Sequence, residues 1–160
     1  MPPEPIYVNR PPAIDLVNVQ PSAPVVQLYL DCPEQTDLFT VRFIELDTDQ
    51  LLSVRWFLDY DVSGQNGAGF LQQRLVDPNG TVWRSDDFDP ADLVGEFSSP
   101  GVYVLEAFVV EVDALTGDDT DVPLFRATKD CAASGYPDDC ISTHPASYRW
   151  VLDVRDEQCL

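Results

Sequence analysis

The chain has 160 residues, enough for one well-buried core and short for two domains. Nine Lys and Arg residues stand against 28 Asp and Glu residues, which gives a formal net charge of −19. Such a surface repels phosphate groups, so the charge excludes nucleic acid as a partner and disfavours anionic membranes. Because 44% of the residues are hydrophobic and 11% aromatic, the chain is also too apolar to be disordered.

Residues 1–13 contain five prolines, which predict an extended lead-in or tether because proline neither donates to a ladder nor fits inside a helix. Residues 14–160 are predicted to form a single domain. No apolar stretch reaches the length of a membrane span, and we expect no transmembrane segment. No charged-then-apolar signal segment opens the chain. Its start, Met-Pro-Pro-Glu-Pro, is consistent with a methionine placed before a mature domain, so we expect an exported domain whose signal peptide has been removed.

Apolar and polar residues alternate with period two in the middle of the chain, as in a half-buried strand. Residues 39–43, 51–60 and 148–154 show this pattern, and a polar turn is predicted at residues 47–50, before the second of these strands. Residues 102–112 form the longest β-rich run. In that run, Tyr103, Leu105, Ala107 and Val109 form the predicted inner face. The other faces predicted to be buried are those of Val54, Trp56, Leu58 and Tyr60, and of Tyr148, Trp150, Leu152 and Val154.

Residues 77–80, which end in Asn79-Gly80, predict a hairpin between strands at 70–76 and 81–84, because Asn-Gly tolerates the positive φ of a tight turn. We expect an acidic loop at 86–92 and a loop-rich insertion at about 113–147. Seven to nine strands with almost no helix predict an all-β fold, with an antiparallel β-sandwich as the leading architecture.

The four cysteines form no C-x-x-C pair, and the single histidine, His144, cannot complete a standard zinc site. They favour an oxidising compartment, although four buried thiols in a cytosolic protein are the alternative. We predict the disulfides Cys32–Cys159 and Cys131–Cys140. The first would tie the last strand to an early one, and the second closes a short loop. The other pairings would require Cys32 to reach into the insertion.

Three segments have a recognisable pattern: residues 51–61 form an aromatic-bearing strand that ends in aspartate, residues 99–106 contain Pro-Gly-x-Tyr-x-Val, and residues 147–154 form a terminal strand. Together they resemble PKD-type and related immunoglobulin-like domains of uncharacterised bacterial surface lipoproteins of the myxobacterial type. The resemblance implies an immunoglobulin-like antiparallel β-sandwich, here stapled by the predicted disulfides. The chain lacks the glycine-aspartate-glycine turn after Asp61 and carries a long insertion. The resemblance implies a non-catalytic, extracytoplasmic module, secreted, periplasmic or at the cell surface.

Asp59, Asp61 and Ser63 place oxygen donors at alternate positions before a glycine, as an EF-hand calcium loop begins. Phe70 stands where such a loop has its bidentate glutamate. The residues therefore indicate either a weak calcium site or a solvated strand end, and we expect no cofactor other than calcium. Other acidic groups, at 86–92 and 118–121, could also bind calcium or be solvated.

Trp83, just after the predicted turn, is the tryptophan that could stack on a sugar. Phe108 and Val110 point away from the predicted inner face of their strand, which leaves an apolar stripe that either the insertion or a partner must cover. His144 has no visible catalytic partner, and no glycine-flanked nucleophilic serine is present, so we predict no enzyme.

These observations predict a binding or structural module, an accessory subunit or surface lipoprotein with a protein partner in a cell-envelope assembly. They are also compatible with a lipid anchor attached outside this sequence. A carbohydrate-binding sandwich is the alternative, and a hydrolase with an unrecognised site is the weakest hypothesis.

Overall fold

A computed structural model describes residues 12–33, 37–59, 69–111 and 145–156. These residues form eight strands and one 3-10 turn, Pro90–Leu93, with no α-helix among them. The strands are β1 (Ala13–Ile14), β2 (Val25–Tyr29), β3 (Phe39–Ile44), β4 (Leu52–Leu58), β5 (Phe70–Val76), β6 (Trp83–Phe88), β7 (Gly101–Glu111) and β8 (Ala146–Arg155). Among the described residues, no helix has the length and apolar character needed to cross a membrane.

The strands form two sheets. One has three strands in the order β1-β3-β6, and the other has five in the order β2-β8-β7-β4-β5. Every neighbouring pair is antiparallel except β2 and β8, which run parallel. Buried residues of both sheets belong to one hydrophobic cluster, so the sheets pack face to face. The predicted all-β sandwich is confirmed.

The core follows from the period-two alternation of the strands. In β3 the residues facing inward are Phe39, Val41 and Phe43, each fully buried. Trp56 of β4 lies at the centre, stacked on Phe88 of the opposite sheet at 5.3 Å between ring centroids and on Trp150 of β8 at 5.9 Å. The predicted inner face of residues 102–112 is also found, since Leu105, Ala107 and Val109 lie in this core.

The predicted hairpin at residues 77–80 is wrong, because β5 and β6 lie in different sheets. A turn does form there: Gly80 has φ 78°, and the Asn79 Oδ1 accepts a hydrogen bond from the Thr81 N–H at 3.0 Å. The turn carries the chain across the sandwich. Strand β6 joins the other sheet because its inward-facing residue Phe88 is then buried against Trp56, across the core.

Element boundaries differ from the predicted ones by a few residues. Asp86 and Asp87 belong to β6, whereas the sequence predicted a loop from residue 86. Strand β1 begins at Ala13, inside the predicted tether, and β8 begins at Ala146, inside the predicted insertion. Residues 1–11 and 112–144 lie outside the described part of the chain, so the division into tether, domain and insertion stays a prediction.

The sandwich has two ends of different character. At the Glu45 end, comprising residues 45–51 and Glu111, strands β3 and β7 finish and β4 begins; Leu52 pairs with Glu111. At the Cys32 end, comprising residues 30–33 and Arg155, strands β2 and β8 finish side by side, and the Leu30 N–H donates to the Arg155 carbonyl at 2.8 Å.

Candidate functional site

Three buried carboxylates, those of Glu45, Asp47 and Glu111, meet at the Glu45 end of the core. Glu45 and Asp47 continue the inward alternation of β3 beyond its last residue, because buried and less buried residues still alternate there. Glu111 stands last in the inward set of β7, two residues after Val109. The two strands therefore carry acidic groups into the place where the next apolar layer of the core would lie.

The three carboxylates are close enough to share one ligand. Each offers an oxygen, and these oxygens lie within 4.8 Å of one another. Glu45 is fully buried; its Oε1 accepts the Asp47 N–H at 2.8 Å, and its Oε2 has no hydrogen-bond donor among the described residues. Burial raises the pKa of Glu45, and the Asp47 charge adds to the rise, whereas the Asp47 N–H, the Arg84 charge and a contact with the Glu111 side chain oppose it.

Arg84 of β6 holds the loop that contains these acids. Its guanidinium, 3% exposed as a residue, donates to the carbonyls of Gln50 at 2.5 Å, Thr48 at 3.2 Å and Val76 at 3.3 Å. These contacts fix residues 45–51 against β5 and β6. Arg84 is also the positive charge that acts on Glu45 and favours its ionised form. Three ionised carboxylates and the Arg84 guanidinium together carry a formal charge of −2.

Another buried acid, Asp86, lies outside this cluster and has a structural role. Its Oδ2 accepts the indole N–H of Trp56 at 2.8 Å, and its Oδ1 lies 3.3 Å from the Arg74 Nε. Burial raises the pKa of Asp86, and the Trp56 hydrogen bond and the Arg74 charge oppose the rise. Asp86 thus orients the central tryptophan of the core.

The raised pKa of Asp86 predicts a pH dependence of stability. In the interval above the ordinary value of about 4, the folded protein holds this proton more often than the unfolded chain does. The contribution of Asp86 to the free energy of unfolding is therefore fully present at lower pH. It is lost as the pH rises through the pKa that Asp86 has in the folded protein. The free energy of unfolding of the wild type, minus that of Asp86→Asn, should fall between pH 4 and pH 7.

Urea unfolding of both proteins across that range measures the difference. The variant Asp87→Asn controls for the removal of one negative charge, because Asp87 is the exposed neighbour on the same strand. A difference between the wild type and Asp86→Asn that stays constant with pH would contradict the assignment.

Asp59, the first residue of the predicted calcium motif, has a defined place at the end of β4. Its N–H donates to the Val104 carbonyl at 2.8 Å, and its Oδ1 accepts the Val104 N–H at 2.7 Å. With φ 48°, Asp59 continues the pairing with β7 beyond Leu58. Asp61 and Ser63 lie outside the described residues, so the motif as a whole stays a prediction.

The three residues predicted to form binding surfaces are differently placed. Trp83 is 38% exposed, and the Arg42 guanidinium carbon lies over its ring, 4.3 Å from the centroid. Phe108 and Val110 lie away from the main core, in a second cluster with Phe57, and are 1% and 0% exposed within the chain itself. A partner could not reach them without displacing part of this protein, so they carry no partner proposal.

Cys32 is buried near the point where β2 and β8 finish, and it is not a free thiol. Its three candidate partners and His144 lie outside the described residues, so the predicted pairings stay predictions.

No protein-family model matches the chain, and no curated protein is significantly similar to it. The likeness to PKD-type domains therefore rests on the three segments of sequence alone. Sequence reasoning also missed the cluster of Glu45, Asp47 and Glu111, because it treated residues 47–50 as a polar turn. The signal was present: the period of β3 and of β7, continued past the apolar residues, places each of these acids on an inner face.

Proposed function

We propose that the protein is a non-catalytic, immunoglobulin-like module that works outside the cytoplasm as a binding or spacing element of a cell-envelope assembly. The observation that carries the proposal is the strand order. In immunoglobulin sandwiches, strands B and E lie in one sheet and C, F and G in the other. Here β3 and β6 occupy the positions of B and E, and β4, β7 and β8 those of C, F and G.

Two local features support the immunoglobulin-like type. The Tyr103 hydroxyl donates to the Ser99 carbonyl at 2.7 Å, four residues upstream at the start of β7, as in a tyrosine corner. Two residues later, where antibody domains have their second cysteine, stands the fully buried Leu105. Trp56 on β4 takes the position of the buried tryptophan of strand C.

The path of the chain supports a spacing role. Strand β1 starts at the Glu45 end, where Ala13 pairs with Ile44, and β8 finishes at the Cys32 end. The segments before and after the sandwich thus leave from opposite ends. A sandwich of this kind would separate whatever is joined to its two ends by about the length of its strands.

The Cys32 end supports an oxidising compartment. Because β2 and β8 are parallel and Tyr29 pairs with Arg155, the two strands finish side by side. Cys32 follows Tyr29 by three residues, and Cys159 follows Arg155 by four. This pairing of β2 with β8 favours a Cys32–Cys159 disulfide, and structural disulfides of this kind are typical of exported proteins.

Fractionation of the native cells, followed by peptide mapping without reduction, tests the proposal. We expect the protein in the extracytoplasmic fraction with all four cysteines oxidised. Crosslinking in that fraction should identify one dominant envelope protein, and the two purified proteins should form a complex of fixed stoichiometry. Recovery from the cytosol with four free thiols would contradict the compartment, and failure of the purified pair to associate would contradict the binding role.

A further inference from the structure

We propose that Glu45, Asp47 and Glu111 form a calcium site at the Glu45 end of the sandwich. This site is distinct from the EF-hand-like motif at residues 59–63 and does not depend on the proposed envelope function. Its ligands come from the loop after β3 and from the last residue of β7, so the ion would join the two sheets where the apolar core ends.

The first argument is the state of Glu45. A fully buried carboxylate costs several kcal/mol unless its oxygens are hydrogen-bonded or bound to a cation. The Oε1 of Glu45 accepts the Asp47 N–H, whereas its Oε2, also buried, has no hydrogen-bond donor among the described residues. A cation bound between the three carboxylates would provide the missing contact for this oxygen.

The second argument is charge. The Arg84 charge acts on Glu45, and its guanidinium donates to the carbonyls of Gln50, Thr48 and Val76. Three carboxylates and one guanidinium sum to a formal charge of −2, which one divalent ion would balance. The competing explanation is protonation of the acids, with a proton shared between Glu45 and Glu111, and the variant Glu45→Gln separates the two.

The third argument is the kind and spacing of the ligands. An all-oxygen set selects hard cations, and several carboxylates in one site favour calcium over magnesium, which keeps most of its water. Oxygens on opposite sides of a calcium ion are about 4.6 to 5.2 Å apart, given calcium–oxygen distances of about 2.3 to 2.6 Å. The carboxylate oxygens here lie within 4.8 Å of one another, so a calcium ion fits without separating the strands.

The test uses the full chain, stripped of metal with EDTA and titrated with calcium chloride by calorimetry and by thermal melting. At a calcium concentration about 100 times the dissociation constant, we expect the melting temperature to rise by roughly 5 to 10 °C. Glu45→Gln and Glu111→Gln should each weaken calcium binding at least about tenfold, because each removes a charged ligand. Asp49→Asn is the matched control, since Asp49 is an exposed acid of the same loop and should leave binding unchanged.

The sign of the Glu45→Gln effect separates calcium from protonation. In EDTA the variant should melt above the wild type, because one buried charge has been removed; in calcium it should melt below, because a ligand is missing. An equal shift in both buffers would show a purely structural role and overturn the proposal. Absence of calcium binding at millimolar concentration would also overturn it, as would binding that Asp59→Asn abolishes and Glu45→Gln leaves intact.

Discussion

Replacing both Cys32 and Cys159 with serine should lower the free energy of unfolding by about 3 to 5 kcal/mol. This bond would close a loop of nearly the whole chain, and in the chain-entropy model a longer loop restricts the unfolded state more. Strands β2 and β8 finish side by side, four residues before Cys159, which favours this pairing over the other two. Urea unfolding of the oxidised wild type and of the double variant measures the effect.

The double variant Cys131→Ser/Cys140→Ser is the control. Its predicted loop is short, about ten residues, so its removal should cost less, on the order of 2 to 3 kcal/mol. Peptide mapping without reduction gives the connectivity directly. A peptide joining Cys32 to Cys131 or to Cys140 would contradict the pairing, and it would mean that the segment between β7 and β8 is tied to the Cys32 end.

Strand positions were predictable because alternation reports a local property, the side of the backbone that is buried. The inner faces of β3, β4, β7 and β8 follow directly from it. Sheet membership was not predictable in the same way. Asn79-Gly80 indicates a turn whether the chain folds back in one sheet or crosses to the other, and the choice depends on where Phe88 is buried. That contact joins residues distant in sequence, which a local pattern does not contain.

The candidate site was hard to predict for a related reason. An acid in a polar segment is usually solvated, so Asp47 looked like part of a turn. In the structure Asp47 is buried and lies close to Glu111, which is 64 positions later in the chain and pairs with Leu52 across β4 and β7. Asp59 was singled out by its motif instead. It makes two hydrogen bonds to the backbone of Val104 at the end of β4, and its calcium role stays a prediction because Asp61 and Ser63 lie outside the described residues.

Trp56→Ala should be among the most destabilising single substitutions in the described part of the chain, lowering the free energy of unfolding by about 3 to 5 kcal/mol. The ring is fully buried between Phe88 and Trp150, so its loss leaves a cavity between the two sheets. It also removes the indole N–H from Asp86, a buried carboxylate, and this lost hydrogen bond accounts for about 1 to 3 kcal/mol of the total.

Two variants separate these contributions and test the assignment of the tryptophans. Trp56→Phe keeps most of the ring volume and loses the N–H, so it should cost about 1 to 3 kcal/mol. Trp83→Ala is the matched control: this ring is 38% exposed and contacts Arg42, and its removal should cost about 1 kcal/mol or less. Urea unfolding at neutral pH measures all three. Equal losses for Trp56→Ala and Trp83→Ala would mean that the sandwich is not centred on Trp56, and the order of the sheets would then have to be revised.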